Sequence, residues 1–307
     1  MKRRELIKTA GLAGFLTTLG IPAFSLQPAP KSENALRFIH MTDVHLFSEK
    51  EAPEQLRRAF RHMHKNYPEA RFIMNGGDVI RDALKKDEME TQKQWALWHH
   101  ILEEENSFEI FNCIGNHDVW GGGKVKDDKY GKKWAVEALK MPARYYHFDK
   151  GNWRFVVLDS TRINSHGEWY TAQLDQEQFL WLSSLLDKTA SSTNVLIVTH
   201  IPVITATSYF VGDSDKTKPG HWQFPHSWMH GDARKITALF SQHKNVKGAI
   251  SGHMHQVDRV VYKGVSYMCH GAISGQWWNG SNNGFAGGYA VVDLYDDGTI
   301  ETQYITY

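Results

Sequence analysis

The chain has 307 residues, 41% of them hydrophobic, with 35 Lys and Arg against 34 Asp and Glu and only two cysteines. That length and apolar fraction suffice for a buried core and fit one large domain. The near balance of charge argues against the basic footprint of a nucleic-acid polymer binder, and two cysteines do not make a disulfide scaffold.

The first stretch, "MKRRELIKTAGLAGFLTTLGIPAFS", sets basic residues before an apolar run from Thr9 to Phe24 and ends in the small-x-small pattern Ala23-Phe24-Ser25. Residues 1–25 therefore read as a signal peptide. Gly11, Gly14 and Gly20 interrupt the run, which falls short of the ~20 apolar residues that span a bilayer, so no stable membrane anchor is expected. Removing this segment takes Lys2, Arg3, Arg4, Lys8 and Glu5 away and leaves 31 basic against 33 acidic residues, a formal charge of −2. The order Arg3-Arg4-Glu5-Leu6-Ile7-Lys8 resembles the twin-arginine export signal. That resemblance implies passage through the twin-arginine (Tat) export machinery as a folded chain, and a periplasmic or secreted location. Residues 26–35 form a short polar leader.

From 36 to 307, β-rich runs alternate with helical patterns at 54–66, 88–105, 134–139, 175–188 and 232–243, which predicts an α/β fold. Several runs, such as "NVLIVTH", are almost wholly apolar, as buried strands are. Asp175 stands where an N-cap is expected. Cys113 and Cys269 lie in apolar runs and read as core thiols.

Taken in order, the strand ends carry a second pattern. "RFIHM" is followed by Asp43-Val44-His45, "RFIMN" by Gly76-Gly77-Asp78, "EIFNC" by Gly115-Asn116-His117-Asp118, "NVLIV" by His200, and "VKGAI" by Gly252-His253-Met254-His255. Five strands thus deliver a carboxylate, amide or imidazole at their carboxyl ends, the edge where open α/β sheets bind ligands. If the i, i+2 pairs are extended, both side chains of each pair face one side. Three oxygen donors (Asp43, Asp78, Asn116) and four nitrogen donors (His45, His200, His253, His255) suit a pair of first-row transition metals better than magnesium or calcium.

The tripeptide His-Met-His occurs twice, and its first copy is different. His62 and His64 sit in "PEQLRRAFRHMHKNYP", whose Leu56, Phe60 and Met63 recur at helical spacing. Two residues on a helix are ~200° apart, so these imidazoles face away from each other. His99 and His100 are given the same surface or edge role, and Trp95 and Trp98 a packing role.

The five blocks D-x-H, G-D, G-N-H-D, H and G-H-x-H resemble, in order, those of the calcineurin-like metallophosphoesterases. The resemblance spans residues 43 to 255 and implies two packed mixed β-sheets flanked by helices, with the metal site at the C-terminal strand ends. It implies that Asp43, His45, Asp78 and His255 hold one metal and Asp78, Asn116, His200 and His253 the other, with Asp78 bridging. The metals would be manganese, iron or zinc. A water activated by them would attack phosphorus while His117 assists the leaving oxygen.

Purple acid phosphatases carry a metal-ligating tyrosine where this chain has Arg81, which argues against that branch. Serine/threonine protein phosphatases read G-D-x-x-D-R, whereas here Arg81 precedes Asp82, so the carboxylate that would orient His117 is displaced. The blocks look most like those of bacterial class III cyclic nucleotide phosphodiesterases and glycerophosphodiester-hydrolysing relatives. A phosphodiesterase acting on a nucleotide, a glycerophosphodiester or a lipid-linked phosphate is the expectation. A broad phosphomonoesterase or nucleotide pyrophosphatase, and a non-catalytic metal-stabilised scaffold, are the alternatives.

Two stretches fall outside the alternation. Residues 204–231 are long for a connection, read as a lid-like insertion, and offer Tyr209 and His221 for substrate. The glycine-rich "GAISGQWWNGSNNGFAGG" offers Trp277 and Trp278, and Arg81 is a further candidate for substrate binding.

Overall fold

The structure, a computed structural model, describes residues 35–49, 51–162, 170–210 and 224–307. The segments expected to form the signal peptide (1–25) and all but the last residue of the leader, with His221, lie outside the described residues. In chain order the elements are β1 (Leu36–Met41), α1 (Ala52–Asn66), β2 (Ile73–Asn75), α2 (Glu88–Glu105), β3 (Ile110–Asn112), α3 (Lys133–Ala138), β4 (Tyr146–Lys150), β5 (Trp153–Leu158), β6 (Thr161–Arg162), β7 (Thr171–Ala172), α4 (Gln176–Lys188), β8 (Asn194–Thr199), α5 (Ala233–Gln242), β9 (Val246–Ser251), β10 (Asp258–Tyr262), β11 (Val265–Cys269), β12 (Gly288–Leu294) and β13 (Ile300–Thr306).

The helices start where local chemistry favours it. Asp175 caps α4 by accepting from the Gln178 amide, and Asp87 does the same for α2 through Glu90. In α1, Pro53 lies in the first turn, where its missing N–H costs nothing, and Leu56, Ala59, Phe60 and Met63 form one buried stripe.

Two mixed sheets result, as expected for this α/β fold. One runs β13-β12-β1-β2-β3, the other β10-β11-β9-β8-β5-β4. Neighbours β1, β2 and β3 are parallel, as are β5, β8, β9 and β11, while β12, β13, β4 and β10 pair antiparallel. Between the sheets lies a core of Phe38, Phe72, Phe155, Leu196, Val198 and Ile250, with the Phe38 and Phe72 rings stacked 5.0 Å apart. A second core joins α1, α2 and α3 to the outer face of the first sheet, and a third joins α4 and α5 to the second. The order is helix, sheet, sheet, helix.

This layering puts the carboxyl ends of β1, β2 and β3 in one sheet beside those of β8 and β9 in the other. No helix among the described residues is long and apolar enough to cross a membrane.

Candidate metal centre

The donors leave their strands in a conformation that the i, i+2 argument did not anticipate. Asp43, His45, Asp78, His253 and His255 have φ of 56°, 46°, 54°, 70° and 55°, so they lie in the left-handed region rather than in extended chain. Such backbone is uncommon for non-glycine residues and costs roughly 1–3 kcal/mol at each position, which the surroundings must over-determine. They do so through a lattice of bonds between strand-end loops. The amides of Asp43 and His45 donate to Gly77 O and Asp78 O, both at 2.9 Å.

Asp118, which ends the third sequence block and was given no role there, is the centre of that lattice. Its buried carboxylate accepts from the amides of Asp78 (2.8 Å), Val79 (2.9 Å) and Gly115 (2.9 Å), tying the second and third loops together. Burial and the charge of Asp78 raise its carboxyl to about 7. Gly115 is required here, because a Cβ at that position would run into the Asp78 carboxylate.

The donors converge into two groups, Asp43–His45–His255 and Asp78–His200–His253, all buried but the half-buried His253, in each of which the ligand atoms lie within 4.8 Å of one another. His45 Nε2 and His255 Nε2 are 3.0 Å apart, and His255 Nε2 is 3.4 Å from Asp43 Oδ1. In the other group His200 Nε2 lies 3.2 Å from Asp78 Oδ2 and 3.2 Å from Asn116 Oδ1. Asp78 Oδ2 is also 3.8 Å from His45 Nε2, so this carboxylate faces both groups.

Their electrostatics fit a bound cation. Asp43 Oδ1 is buried without a hydrogen-bond partner, a condition that buried polar atoms rarely tolerate. Burial pushes the Asp43 carboxyl up, but the charges of His255 and His200 override it and hold the group well below the carboxylate range. Burial would lower His200, yet Asp78 and Asp43 raise it to about 9, while burial and His200 push His253 down to about 4. Carboxylates kept ionised beside converging imidazoles are the donor set that a borderline transition metal takes.

His117 borders this cluster. Its amide donates to Asp78 Oδ1 (2.7 Å), and its ring Nδ1 lies 3.5 Å from Asp82 Oδ1. Asp82 is thus the carboxylate that the inverted Arg81-Asp82 order had left without an assigned place. Burial alone would lower His117, but Asp78 and Asp82 raise it above the ordinary histidine value.

A cavity of about 250 Å³ opens on the cluster, lined by His45, Asp78, His117, His253 and His255 together with Tyr170, Trp228, Met254, Gln276, Trp277 and Asn282. Of the residues expected at the substrate, Trp277 lines it. Trp278 does not; its indole packs on the core and donates to His45 O at 3.2 Å. Arg81 lies over the Phe47 ring, 4.3 Å from its centroid. Tyr209 lines a neighbouring cavity with Phe210, Gln256 and Phe285. The end of the 204–231 insertion meets the site, because Ser227 O bonds His253 Nε2 at 2.8 Å and Trp228 reaches the wall. Tyr170, Gln276 and Asn282 were missed, and the polar content of the glycine-rich loop was the only signal for the last two.

Elsewhere the sequence roles hold. His62 Nδ1 pairs with Tyr289 Oη at 2.8 Å while His64 stacks on Phe108 at 4.2 Å, in separate surroundings. His99 bonds Ala138 O at 2.8 Å, His100 lies near Glu104, and Trp95 and Trp98 are buried in the core. Cys113 and Cys269 are buried free thiols.

Fold and site define a metal-dependent hydrolase, and residues 36–257 match the calcineurin-like phosphoesterase family, to which the chain belongs. It is a dinuclear metal-dependent phosphoesterase. It is similar to a 3′,5′-cyclic-nucleotide phosphodiesterase of Nostoc sp., 24% identical over an alignment of 277 residues, with 86% of this chain and 89% of the relative covered. A 3′,5′-cyclic adenosine monophosphate phosphodiesterase of Vibrio vulnificus is 21% identical over 89% of this chain and 90% of its own. The fold is similar to that of a dimetal phosphatase from Danio rerio, with a TM-score of 0.63, 15% identity, and 89% and 100% of the two chains covered.

Proposed function

We propose that the chain hydrolyses phosphodiesters, with Asp43, His45, Asp78 and His255 holding one metal ion and Asp78, Asn116, His200 and His253 the other. The observation that carries this reading is the convergence of seven donors from five strand ends, with the Asp78 carboxylate facing both groups. Bound there, such ions supply a water acidified to a pKa near ~7 and positive charge for the phosphoryl oxygens.

The chain's own residues do the rest. Asp78 and Asp82 outweigh the burial of His117 and favour its protonated form beyond that of an ordinary histidine. With Nδ1 towards Asp82, it gives the proton on its other nitrogen to the departing oxygen as the P–O bond breaks and water adds to phosphorus. Asp118 keeps the Asp78 and Asn116 loops in register. Trp277, Trp228 and Tyr170 give the pocket an aromatic wall beside the donors.

The two relatives named as cyclic-nucleotide phosphodiesterases support a diester substrate. With the N-terminal export pattern, the substrate is a nucleotide, glycerophosphodiester or lipid-linked phosphate met outside the cytoplasm, and manganese, iron or zinc is the metal. Purified with manganese, the chain is expected to turn over bis(p-nitrophenyl) phosphate faster than p-nitrophenyl phosphate. Turnover of neither substrate by metal-loaded protein would remove the enzyme reading and leave the scaffold.

A further inference from the structure

Residues 273–278 leave β11 and cross the carboxyl edge, where they hold every member of one donor group. Ser274 Oγ donates to Asp43 O at 2.7 Å, His255 Nδ1 bonds Gly275 O at 2.6 Å, and Trp278 Nε1 donates to His45 O at 3.2 Å. The Trp277 indole lies flat on the His45 ring, 3.7 Å between centroids and 18° between planes, and stands edge-on to His117 at 4.9 Å. The second group is held by other parts of the chain. His200 Nδ1 bonds Gly76 O at 2.9 Å, His253 Nε2 bonds Ser227 O, and Asp78 accepts from the His117 amide.

The strap is also strained. Trp277 and Trp278 are consecutive bulky residues at φ 53° and 64°, each costing roughly 1–3 kcal/mol unless the surroundings compel it. Local bonds fix them there, from the Gln276 amide to Gly280 O and from the Trp278 amide to Ser274 O, both 2.8 Å.

A metal-binding imidazole ordinarily donates its second nitrogen to a carboxylate or carbonyl, which fixes the ring's tautomer and aim. His255 and His200 have that partner in Gly275 O and Gly76 O. His45 does not, since its Nδ1 is buried with no hydrogen-bond partner. The indole face is what fixes its plane instead.

We infer that Trp277 is a positioning residue for His45, and that the 273–278 strap sets the metal affinity of the Asp43–His45–His255 group independently of the other. This rests on the two-metal reading above. Loss of an outer partner of a metal ligand typically weakens metal binding about 10- to 100-fold, and a loss of that size is expected in one metal equivalent only.

The test is titration of metal-stripped protein with Mn²⁺ by calorimetry, with bound metal counted after dialysis. Wild type is expected to bind two equivalents. In Trp277→Ala one equivalent weakens about 10- to 100-fold while the other keeps its affinity, and Trp277→Phe, which retains an aromatic face, moves the weakened one back towards wild type. Ser274→Ala deletes one hydroxyl of the same strap and serves if the tryptophan variant does not fold; it weakens the same equivalent to a smaller degree. Two unchanged equivalents in Trp277→Ala, or in Ser274→Ala where the former does not fold, would overturn the inference while leaving the two-metal reading intact. Equal weakening of both equivalents would overturn it as well. Fewer than two equivalents in wild type would contradict the two-metal reading itself.

Discussion

The two copies of His-Met-His are the same three residues in two backbones. On α1, His62 and His64 point to different neighbours, Tyr289 and Phe108, and among the described residues neither belongs to a group that could hold a metal ion. After β9, His253 and His255 fall into different donor groups, yet both groups are built around carboxylates at one sheet edge. The second copy does not converge because its chain is extended. Both of its histidines are left-handed, at φ 70° and 55°, and the Asp43 carboxylate holds the turn by accepting from the His253 amide at 2.8 Å. On the proposed two-metal reading, chelation is a property of strained backbone held by the site's own carboxylates, rather than of the tripeptide.

The largest test of that contrast is substitution at both copies. His253→Ala and His255→Ala should each release metal and lower turnover by more than the ~10²–10⁴-fold expected from removing a catalytic acid, whereas His62→Ala and His64→Ala should leave metal content and turnover unchanged. Metal analysis beside steady-state kinetics reads both. His117→Ala should fall between, losing ~10²–10⁴-fold in kcat with metal content intact. Lost metal in that variant would make His117 a ligand and break the distinction between chelating and proton-donating histidines.

A smaller effect is expected at Asp82. His117 is raised above its ordinary value partly by Asp82, so its acid form persists to higher pH than it otherwise would, and activity should decline as pH climbs through the raised value. In Asp82→Asn that support is lost, and the declining limb should move to lower pH in a kcat profile; an unmoved limb would dissociate Asp82 from the proton transfer. Smallest of all, His62→Ala should cost about 1 kcal/mol of stability for the lost bond to Tyr289, a normal value for one hydrogen bond, measured by denaturant unfolding.

Much of this was legible in the chain because it is local. Each donor sits within a few residues of a strand whose apolar run announces it, so the edge at which the donors gather follows from the α/β alternation. What was not legible is contact across long sequence separation. Ser274 reaches Asp43, and Trp278 reaches His45, over 231 and 233 residues, and nothing in "GAISGQWWNG" names those partners. The left-handed conformations were hidden too, because they fall on Asp and His rather than on glycine. Asp159 shows the converse difficulty. It also ends a strand, β5, but it is spent on Lys132 and Arg144 rather than on the cluster, a choice made by neighbours that lie well apart from it in sequence.

The central claim is that one copy of His-Met-His serves a pair of metals and the other serves none. Anomalous scattering from crystals grown with manganese tests it directly. The account predicts two peaks about 3.5–4 Å apart, one among Asp43, His45 and His255, the other among Asn116, His200 and His253, with Asp78 between them and no peak at His62 or His64. A single peak, or a peak on α1, would contradict it.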